Sequence, residues 1–225
     1  MKRYDIKPEK LLDSKKKLRV MGVDAELACG DALYIMKGGR LLLKELHIEN
    51  GVFEIPEYVD DLFREGNREP TAFKDCRAVQ IINHSPTIDF CKAFLRCEHL
   101  TELKLTSSVP TETRDLGRLM EECSNLRSAT IDFNSENVTQ IVGMFFGCKK
   151  LETVCLRINT QNVSYMNDIF GYCENLRQIE LDFDTQDLMA RKDMSLLFES
   201  CIAPRQIGLY TSIIPKRTNL QITFS

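Results

Sequence analysis

The chain has 225 residues, of which 43% are hydrophobic and 28% charged, and its formal net charge is −3 at pH 7. These values are typical of an ordinary globular protein and exclude a disordered or membrane-embedded chain. The small negative charge gives no electrostatic reason to expect nucleic acid or anionic lipid as a partner. No apolar run is long enough to span a membrane, and the basic start Met1–Pro8 is not followed by an apolar signal segment. We therefore expect a cytoplasmic protein, or a cell-surface protein if an export signal is missing from this sequence.

Residues 1–68 form the least regular part of the chain, and we interpret them as an N-terminal cap region. The first 20 residues hold eight basic side chains, including the run 15–17. Such a cluster can mark an acidic partner, but a solvated face is the more common explanation. A proline at position 8 followed by Glu9 predicts the start of a helix.

The segment from Gly22 to Gly39 fits a short helix and irregular strands equally well, and the pair Gly38-Gly39 predicts a turn. Residues 41–48 read as a strand with apolar residues at the spacing of the repeat described below, so they could be a degenerate first repeat. Asn50-Gly51 predicts a turn, residues 57–63 an acidic helix, and residues 64–70 a hinge.

From Phe94 to Leu209 a single pattern recurs around a cysteine. The cysteines are Cys97, Cys123, Cys148, Cys173 and Cys201, at steps of 26, 25, 25 and 28 residues. A large apolar residue stands three positions before each cysteine, a leucine usually stands three after it, and apolar residues follow at six and eight. Phe73, Cys76, Val79 and Ile82 begin the same pattern one step of 21 residues earlier. A repeat of this length is one supersecondary unit that buries its apolar face only by stacking on its neighbours.

A second apolar pattern lies between the strand of one repeat and the cysteine of the next. Val138, Ile141, Met144 and Phe145 show the spacings of three and four that fit a short helix or 3₁₀ turns. Asn or Asp residues precede this segment as corners or caps, at Asn134, Asn137, Asn159, Asn162, Asp184 and Asp187. The sequence therefore predicts an α/β repeat solenoid of leucine-rich-repeat type, with a parallel sheet on one side and short helical segments on the other.

The predicted solenoid covers residues 69–211, with six clear repeats and a possible seventh on the N-terminal side. The insert at 188–193 explains the longest step and should bulge as a loop. The alternating residues 219–224 predict a strand, so we assign residues 212–225 to a C-terminal capping strand.

Two segments, Asn137–Leu151 and Asn162–Leu176, carry a family resemblance. They resemble the BspA-like leucine-rich repeats, in the branch that reads Asn-Val-Thr-x-Met-x-x-Met-Phe-x-Gly-Cys-x-x-Leu in bacterial surface lipoproteins. The resemblance covers about residues 73–210. It implies a solenoid that binds proteins or host surfaces and implies no enzymatic activity. The sequence departs from surface members in lacking their export signal, and about 70 N-terminal residues lie outside the resemblance.

The residues give little sign of catalytic chemistry. We interpret the repeated cysteines as a ladder of buried thiols, since free cysteine packs as a small hydrophobe and a reducing compartment preserves it. A zinc site from His84, Cys91, Cys97 and His99 is conceivable, but the chain contains no Cys-x-x-Cys pair. Cys155 is the thiol we place on the outward strand face, where an exposed thiol without a catalytic role is the favoured reading. We expect no enzymatic activity, no metal and no cofactor.

The most informative functional expectation concerns the strand residues that alternate with the inward apolar ones. This outward face is polar with mixed charge and suits contact with another protein, although it could also be simply solvated. Two alternatives remain open: a bacterial cell-surface adhesin, and an effector or enzyme with its activity in the N-terminal region. The predicted binding residues are Glu102, Lys104, Thr106, Thr130, Asp132, Thr153, Arg157, Gln178, Glu180, Asp182, Gln206 and Tyr210.

Overall fold

The structure is a computed structural model that describes residues 1–66, 68–133, 136–182, 197–198, 201 and 208–210. The described residues contain one α-helix, and a 3₁₀ turn at Pro8–Lys10 precedes it. None of the helices in this part of the chain combines the length and apolar character that a bilayer-spanning helix requires. In chain order the elements are β1 Lys2–Asp5, α1 Leu11–Met21, β2 Ala25–Cys29, β3 Ala32–Lys37, β4 Arg40–Leu46, β5 Asn50–Ile55, β6 Asp61–Leu62, β7 Ala78–Asn83, β8 Glu102–Ser107, β9 Ser128–Phe133, β10 Thr153–Ile158, β11 Gln178–Asp182 and β12 Gly208–Tyr210.

The N-terminal region folds into a sheet of its own, with strand order β1-β2-β3-β4-β6. Helix α1 connects the parallel strands β1 and β2, and antiparallel turns connect β2, β3 and β4. The helix predicted after Pro8 is confirmed, and the open question over Gly22–Gly39 resolves to two strands. The predicted turn at Gly38-Gly39 is also confirmed, since both residues have the positive φ (56° and 76°) that glycine adopts without strain.

The rest of the described chain is a parallel solenoid of seven strands, in the order β12-β11-β10-β9-β8-β7-β5. We call one turn of this solenoid a coil. The strands of successive coils pair without slippage, so that Leu103, Ala129, Val154 and Ile179 stack in one inward row. These side chains are at most 3% exposed. The periodicity of two along each strand therefore produces the buried core that the sequence predicts.

The first coil differs from the prediction. Its strand is β5 at Asn50–Ile55, which pairs with β7, so the solenoid begins within the range we had assigned to the cap. Residues 41–46, predicted as a degenerate first repeat, instead form β4 of the N-terminal sheet. Asn50-Gly51 opens a strand rather than a turn, with Gly51 at a φ of 128°. Residues 57–63 contain the short strand β6 instead of a helix.

The register of β7 also corrects one predicted core residue. Val79 pairs with Leu103 and Ile81 with Leu105, which places Val79 and Ile81 inward. Ile82 pairs with Thr106 and is only half-buried, so it belongs to the outward face. The repeat offsets mislead here because the connection from Cys76 to its strand is three residues shorter than in the following coils.

The side opposite the sheet consists mainly of turns in the described coils, some closed by i→i+3 bonds such as that from the Cys97 N–H to the Phe94 carbonyl. Residues 197–198 are 3₁₀, and the short α-helices that the spacing also allows are not present in the described coils. Residues five and one positions before the cysteine have positive φ, for example Arg118 (56°) and Glu122 (59°), and this conformation interrupts a right-handed helix. The backbone bonds to the next coil instead. The N–H groups of residues 141, 143, 145 and 147 donate to the carbonyls of residues 165, 167, 169 and 171, at 2.8–2.9 Å.

The cysteines form a buried ladder between coils, as predicted, and the structure adds the reason for their recurrence. The thiol of Cys123 donates to the carbonyl of Phe94 at 2.9 Å, and that of Cys148 donates to the carbonyl of Met120 at 3.0 Å. Cys173 repeats this contact with Phe145 at 3.2 Å. Each of these thiols is therefore a small apolar group that also donates to a carbonyl of the preceding coil, which already accepts a backbone N–H, as Phe94 does from Cys97 at 3.2 Å.

Aromatic rings form a second ladder beside the thiols. Phe73 and Phe94 stack with centroids 4.6 Å apart, and Phe145 and Phe170 stack at 5.5 Å. Asparagine side chains secure the corners, since Asn137 donates to the carbonyl of Thr111 at 2.7 Å. The coil that holds Asn137 thus bonds its neighbours through the strand, the corner and the turn side.

The buried thiols predict a loss of stability at alkaline pH. Burial raises the pKa of Cys76 from 9.0 to about 12, and burial likewise raises the pKa of Cys148 and Cys173. Unfolded thiols ionise near pH 9 while the folded ones keep their protons, so this contribution is complete below pH 9 and falls above it. The slope is about 1.4 kcal/mol per pH unit for each such thiol. Urea unfolding, measured at several pH values between 9 and 10, gives the free energy of unfolding as a function of pH. This free energy should fall less steeply with pH in Cys76→Ala than in the unaltered protein, and an equal fall in both would contradict the burial of this thiol.

The positive-φ positions predict opposite effects of two matched substitutions. Arg118 and Gly143 occupy the same place in adjacent coils, with φ of 56° and 62°. Gly143→Ala should lower the free energy of unfolding by about 1 kcal/mol, because alanine is strained in this conformation. Its Cβ would meet the Cβ of Phe146 at an ordinary 3.6 Å, so the cost is conformational and not a clash. Arg118→Gly should be neutral or stabilising; urea denaturation of both variants measures the difference, and a harmless Gly143→Ala would overturn this explanation.

Candidate binding face

The outward face of the solenoid sheet consists of three rows of side chains, one residue from each coil. The strand register fixes their composition, because residues at equivalent positions are hydrogen-bonded neighbours. The first row is Asn50, Ala78, Glu102, Ser128, Thr153 and Gln178; the second is Val52, Gln80, Lys104, Thr130, Cys155, Glu180 and Gly208; the third is Glu54, Ile82, Thr106, Asp132, Arg157, Asp182 and Tyr210. We call these rows together the outward face.

The structure places eleven of the twelve predicted binding residues in these rows. Five of them are exposed, namely Glu102, Lys104, Thr153, Arg157 and Gln178, and four are half-buried, namely Thr106, Thr130, Asp132 and Glu180. For Asp182 and Tyr210 only the backbone position is described, and Gln206 lies outside the described residues. The predicted residues thus share one surface by virtue of the register alone.

Charge on the outward face is arranged around Arg157. Its guanidinium lies 3.2 Å from the carboxylate of Glu180 and 3.8 Å from that of Asp132, in the two neighbouring coils. The hydrogen bond to Glu180 raises the pKa of Arg157, but ion pairs this exposed contribute little to stability. Lys104 forms no ion pair with any described residue. The charge of Lys104 is therefore available for contact with a partner.

The sequence-based prediction missed the N-terminal end of this face. Val52 and Glu54 of β5 extend the second and third rows, and Val52 is 56% exposed. The imidazole of His84 lies 3.1 Å from the carboxylate of Glu54 and 2.8 Å from the hydroxyl of Ser108 at the end of these strands. The alternation of apolar Phe53 and Ile55 with Glu54 was the available signal, but the Asn50-Gly51 pair concealed it by suggesting a turn.

A concave surface, separate from the outward face, lies beside the first two coils on their turn side. We call it the polar groove; its volume is about 670 Å³. Cations and carboxylates alternate along it, so it has no single sign of charge. Its lining residues are Lys44, Phe63, Glu65, Arg68, Glu69, Thr71, Lys74, Asp75, Leu95, Arg96, Glu98 and His99.

The residues of the conceivable zinc site are separated in the structure. His84 lies at the end of the sheet, His99 lines the polar groove, and the thiol of Cys97 belongs to the buried ladder. Within the described residues no group of three or more His, Cys, Asp or Glu side chains has a metal-binding arrangement.

The half-buried Cys91 lies beside a charged side chain. Its thiol contacts the carboxylate of Asp115 at 3.5 Å. Burial, and to a smaller extent the negative charge of Asp115, raises the pKa of this thiol to about 12. A catalytic thiol needs a lowered pKa and a neighbouring base that accepts its proton. The geometry around Cys91 therefore disfavours a nucleophilic role.

Comparison with solved structures gives one remote similarity. The crystal structure of a leucine rich cell surface protein from Faecalibacterium prausnitzii A2-165 matches with 14% identity and a TM-score of 0.32. The match covers 69% of this chain and 44% of the other, so the chain spans less than half of that protein. No curated protein sequence matches at a significant level.

Comparison with protein families gives a match over the repeats. A family described as "Mycoplasma protein of unknown function, DUF285" matches residues 88–207. This range begins after the first two coil strands and contains strands β8 to β11, with the thiol ladder from Cys97 onward. Because it covers more than half of the 225 residues, the chain belongs to the DUF285 family.

Proposed function

We propose that this protein is a non-catalytic scaffold that binds another protein through the outward face. The observation that carries the proposal is the register of the seven-stranded sheet, which holds polar side chains from successive coils in fixed rows above a buried core. Because the sheet fixes the backbone of these rows, binding has to order only their side chains, and preorganisation of this kind favours specific contact.

The charges of the outward face indicate the chemistry of the partner. Among its described side chains are four carboxylates, Glu54, Glu102, Asp132 and Glu180, and two cations, Lys104 and Arg157. Four carboxylates against two cations give these side chains a net charge of −2. We propose that the contacting surface of the partner is basic.

The size of the face limits what it can bind alone. Six strand spacings of about 4.8 Å and a strand length near 17 Å give a flat area of roughly 500 Å². A standard interface buries about 800 Å² on each partner. We therefore propose that a stable complex also uses the loops at the rim or the polar groove.

The finer classification is also part of the proposal. The segments 137–151 and 162–176 resemble BspA-like leucine-rich repeats, and we propose that the solenoid is of this type and comes from a bacterium. The register and the inward leucines support the repeat type. The stacked thiols at 97, 123, 148 and 173, which form no disulfides, suit a reducing compartment, and we propose that the protein acts in one.

The proposal predicts that binding depends on the charge of the outward face. The variant Glu102→Lys/Thr153→Lys changes two exposed residues of the first row. The control Glu136→Lys/Gln161→Lys makes the same change of charge at exposed corner residues. Immobilised protein is exposed to a lysate of the source organism, and retained proteins are quantified by mass spectrometry.

We expect at least one protein to be retained by the unaltered chain and by the control, and to fall about tenfold with the face variant. Its Kd is then measured with the purified partner. Equal retention by both variants, or a loss confined to the corner control, would contradict binding through the outward face.

A further inference from the structure

The charge of this protein is unevenly distributed along the chain. Residues 1–21 hold eight basic and three acidic side chains, which gives this segment +5. Because the whole chain carries −3, the remaining residues carry −8. The total charge gives no electrostatic reason to expect an anionic partner, but the charge of this segment does.

Helix α1 divides its residues between two faces. Leu11 is buried against the N-terminal sheet, and Lys15 also turns toward the protein, where its ammonium lies 2.7 Å from both the carboxylate of Asp60 and the carbonyl of Tyr58. The opposite face is exposed at the spacing of a helix. Its residues are Asp13, Lys16, Lys17, Val20 and Met21, with Arg19 exposed at its edge.

The exposed cations of this helix outnumber the one acidic residue, Asp13, on the same face. Lys16, Lys17 and Arg19 form no ion pair with the described residues, in contrast to Lys15. Arg19 stands in the last helical turn, where its positive charge interacts favourably with the helix dipole. The dipole accounts for one basic residue, but it does not account for the lysines at 16 and 17.

The end of the same helix exposes apolar side chains. Val20 is 88% exposed and Met21 is 59% exposed, and Val23 just beyond the helix is 36% exposed. Gly22 ends the helix in the left-handed conformation, with its N–H bonded to the carbonyl of Arg19, so the chain reverses at this point. The apolar side chains therefore occupy a convex corner of the molecule.

We propose that this basic helix tip, defined as Lys16, Lys17, Arg19, Val20 and Met21, docks on the surface of an anionic lipid bilayer. The cations would lie among the lipid phosphates, and Val20 and Met21 would enter the boundary between headgroups and acyl chains. Basic clusters and exposed apolar side chains on one helix face are the two features that such interfacial binding combines. The binding is peripheral, because no described helix can span a bilayer.

The arrangement favours a lipid surface over a protein groove or a nucleic acid. A groove takes a helix through an apolar stripe along its length, whereas here the charges lie along the face and the apolar residues at one end. A nucleic acid would bind the cations but would leave Val20, the most exposed large hydrophobic side chain of the described residues, in water. A membrane interface satisfies both features of the tip at once.

Co-sedimentation of the full chain with lipid vesicles tests the proposal. We expect binding to vesicles that contain about 30% phosphatidylglycerol, little binding to pure phosphatidylcholine, and a decrease as salt rises from about 50 to 300 mM. Two variants, Lys16→Glu/Lys17→Glu and Val20→Ser/Met21→Ser, should each lose about tenfold in affinity. The control Lys149→Glu/Lys150→Glu makes the same change of charge at exposed lysines of the solenoid and should bind within about twofold of the unaltered protein.

Thermal unfolding of each variant establishes that the fold is retained, and the outcomes are then distinct. No binding of the unaltered protein to anionic vesicles, or an equal loss in the solenoid control, overturns the proposal. Unchanged binding of Val20→Ser/Met21→Ser overturns it in favour of simple electrostatic adsorption. Tighter binding to duplex DNA than to vesicles, insensitive to the same variant, overturns it in favour of a nucleic acid.

The sequence offers a second readout because it contains no tryptophan. Val20→Trp places a single reporter in the basic helix tip, and Val52→Trp places the matched reporter on the exposed valine of β5. We expect anionic vesicles to shift the emission of the first variant to shorter wavelength and to leave that of the second unchanged. Equal shifts in both, or none in either, would contradict insertion through this corner.

Discussion

The hydrogen bonds between successive coils are the constraint on which the rest of this structure depends. On the turn side, N–H groups of one coil donate to carbonyls of the next, as from Gly143 to Asn167 at 2.9 Å. In the opposite direction, the thiol of Cys148 and the amide of Asn137 donate to carbonyls of the preceding coil. Since both sets require the same register, a coil can stack in only one way. The register in turn creates the straight rows of the outward face.

The N-terminal sheet solves the problem of ending such a stack. An uncovered first coil would expose its apolar interior and its backbone groups to water. On the turn side, β4 covers this coil. The N–H of Phe63 donates to the carbonyl of Leu43, and the N–H of Leu46 donates to the carbonyl of Ala72. Apolar residues of β4 and of the first coil consequently share one core. The strand β5 remains at the edge of the solenoid sheet.

The sequence predicted the repeating parts of the fold well because each position recurs in phase with its neighbours. The inward leucines, the buried thiols and the composition of the outward face follow from a period of two within strands and about 25 between them. The sequence-based prediction failed where one residue pattern fits two kinds of local structure. Apolar spacings of three and four suit helices and also the turns seen at 141–147, which only the positive φ of Gly143 and Gly147 distinguishes. The first coil was misplaced because no cysteine stands five residues before its strand β5, and because that strand opens with Asn50-Gly51.

The hydrogen bond from each thiol to the preceding coil can be observed directly. The S–H stretching band absorbs in a region of the infrared spectrum free of other protein bands, and hydrogen bonding lowers its frequency. For the folded protein we expect a band at lower frequency than in the urea-unfolded chain, and Cys148→Ala should remove part of this low-frequency intensity. An S–H band at the same frequency in the folded and unfolded states would contradict the thiol ladder and the register built on it.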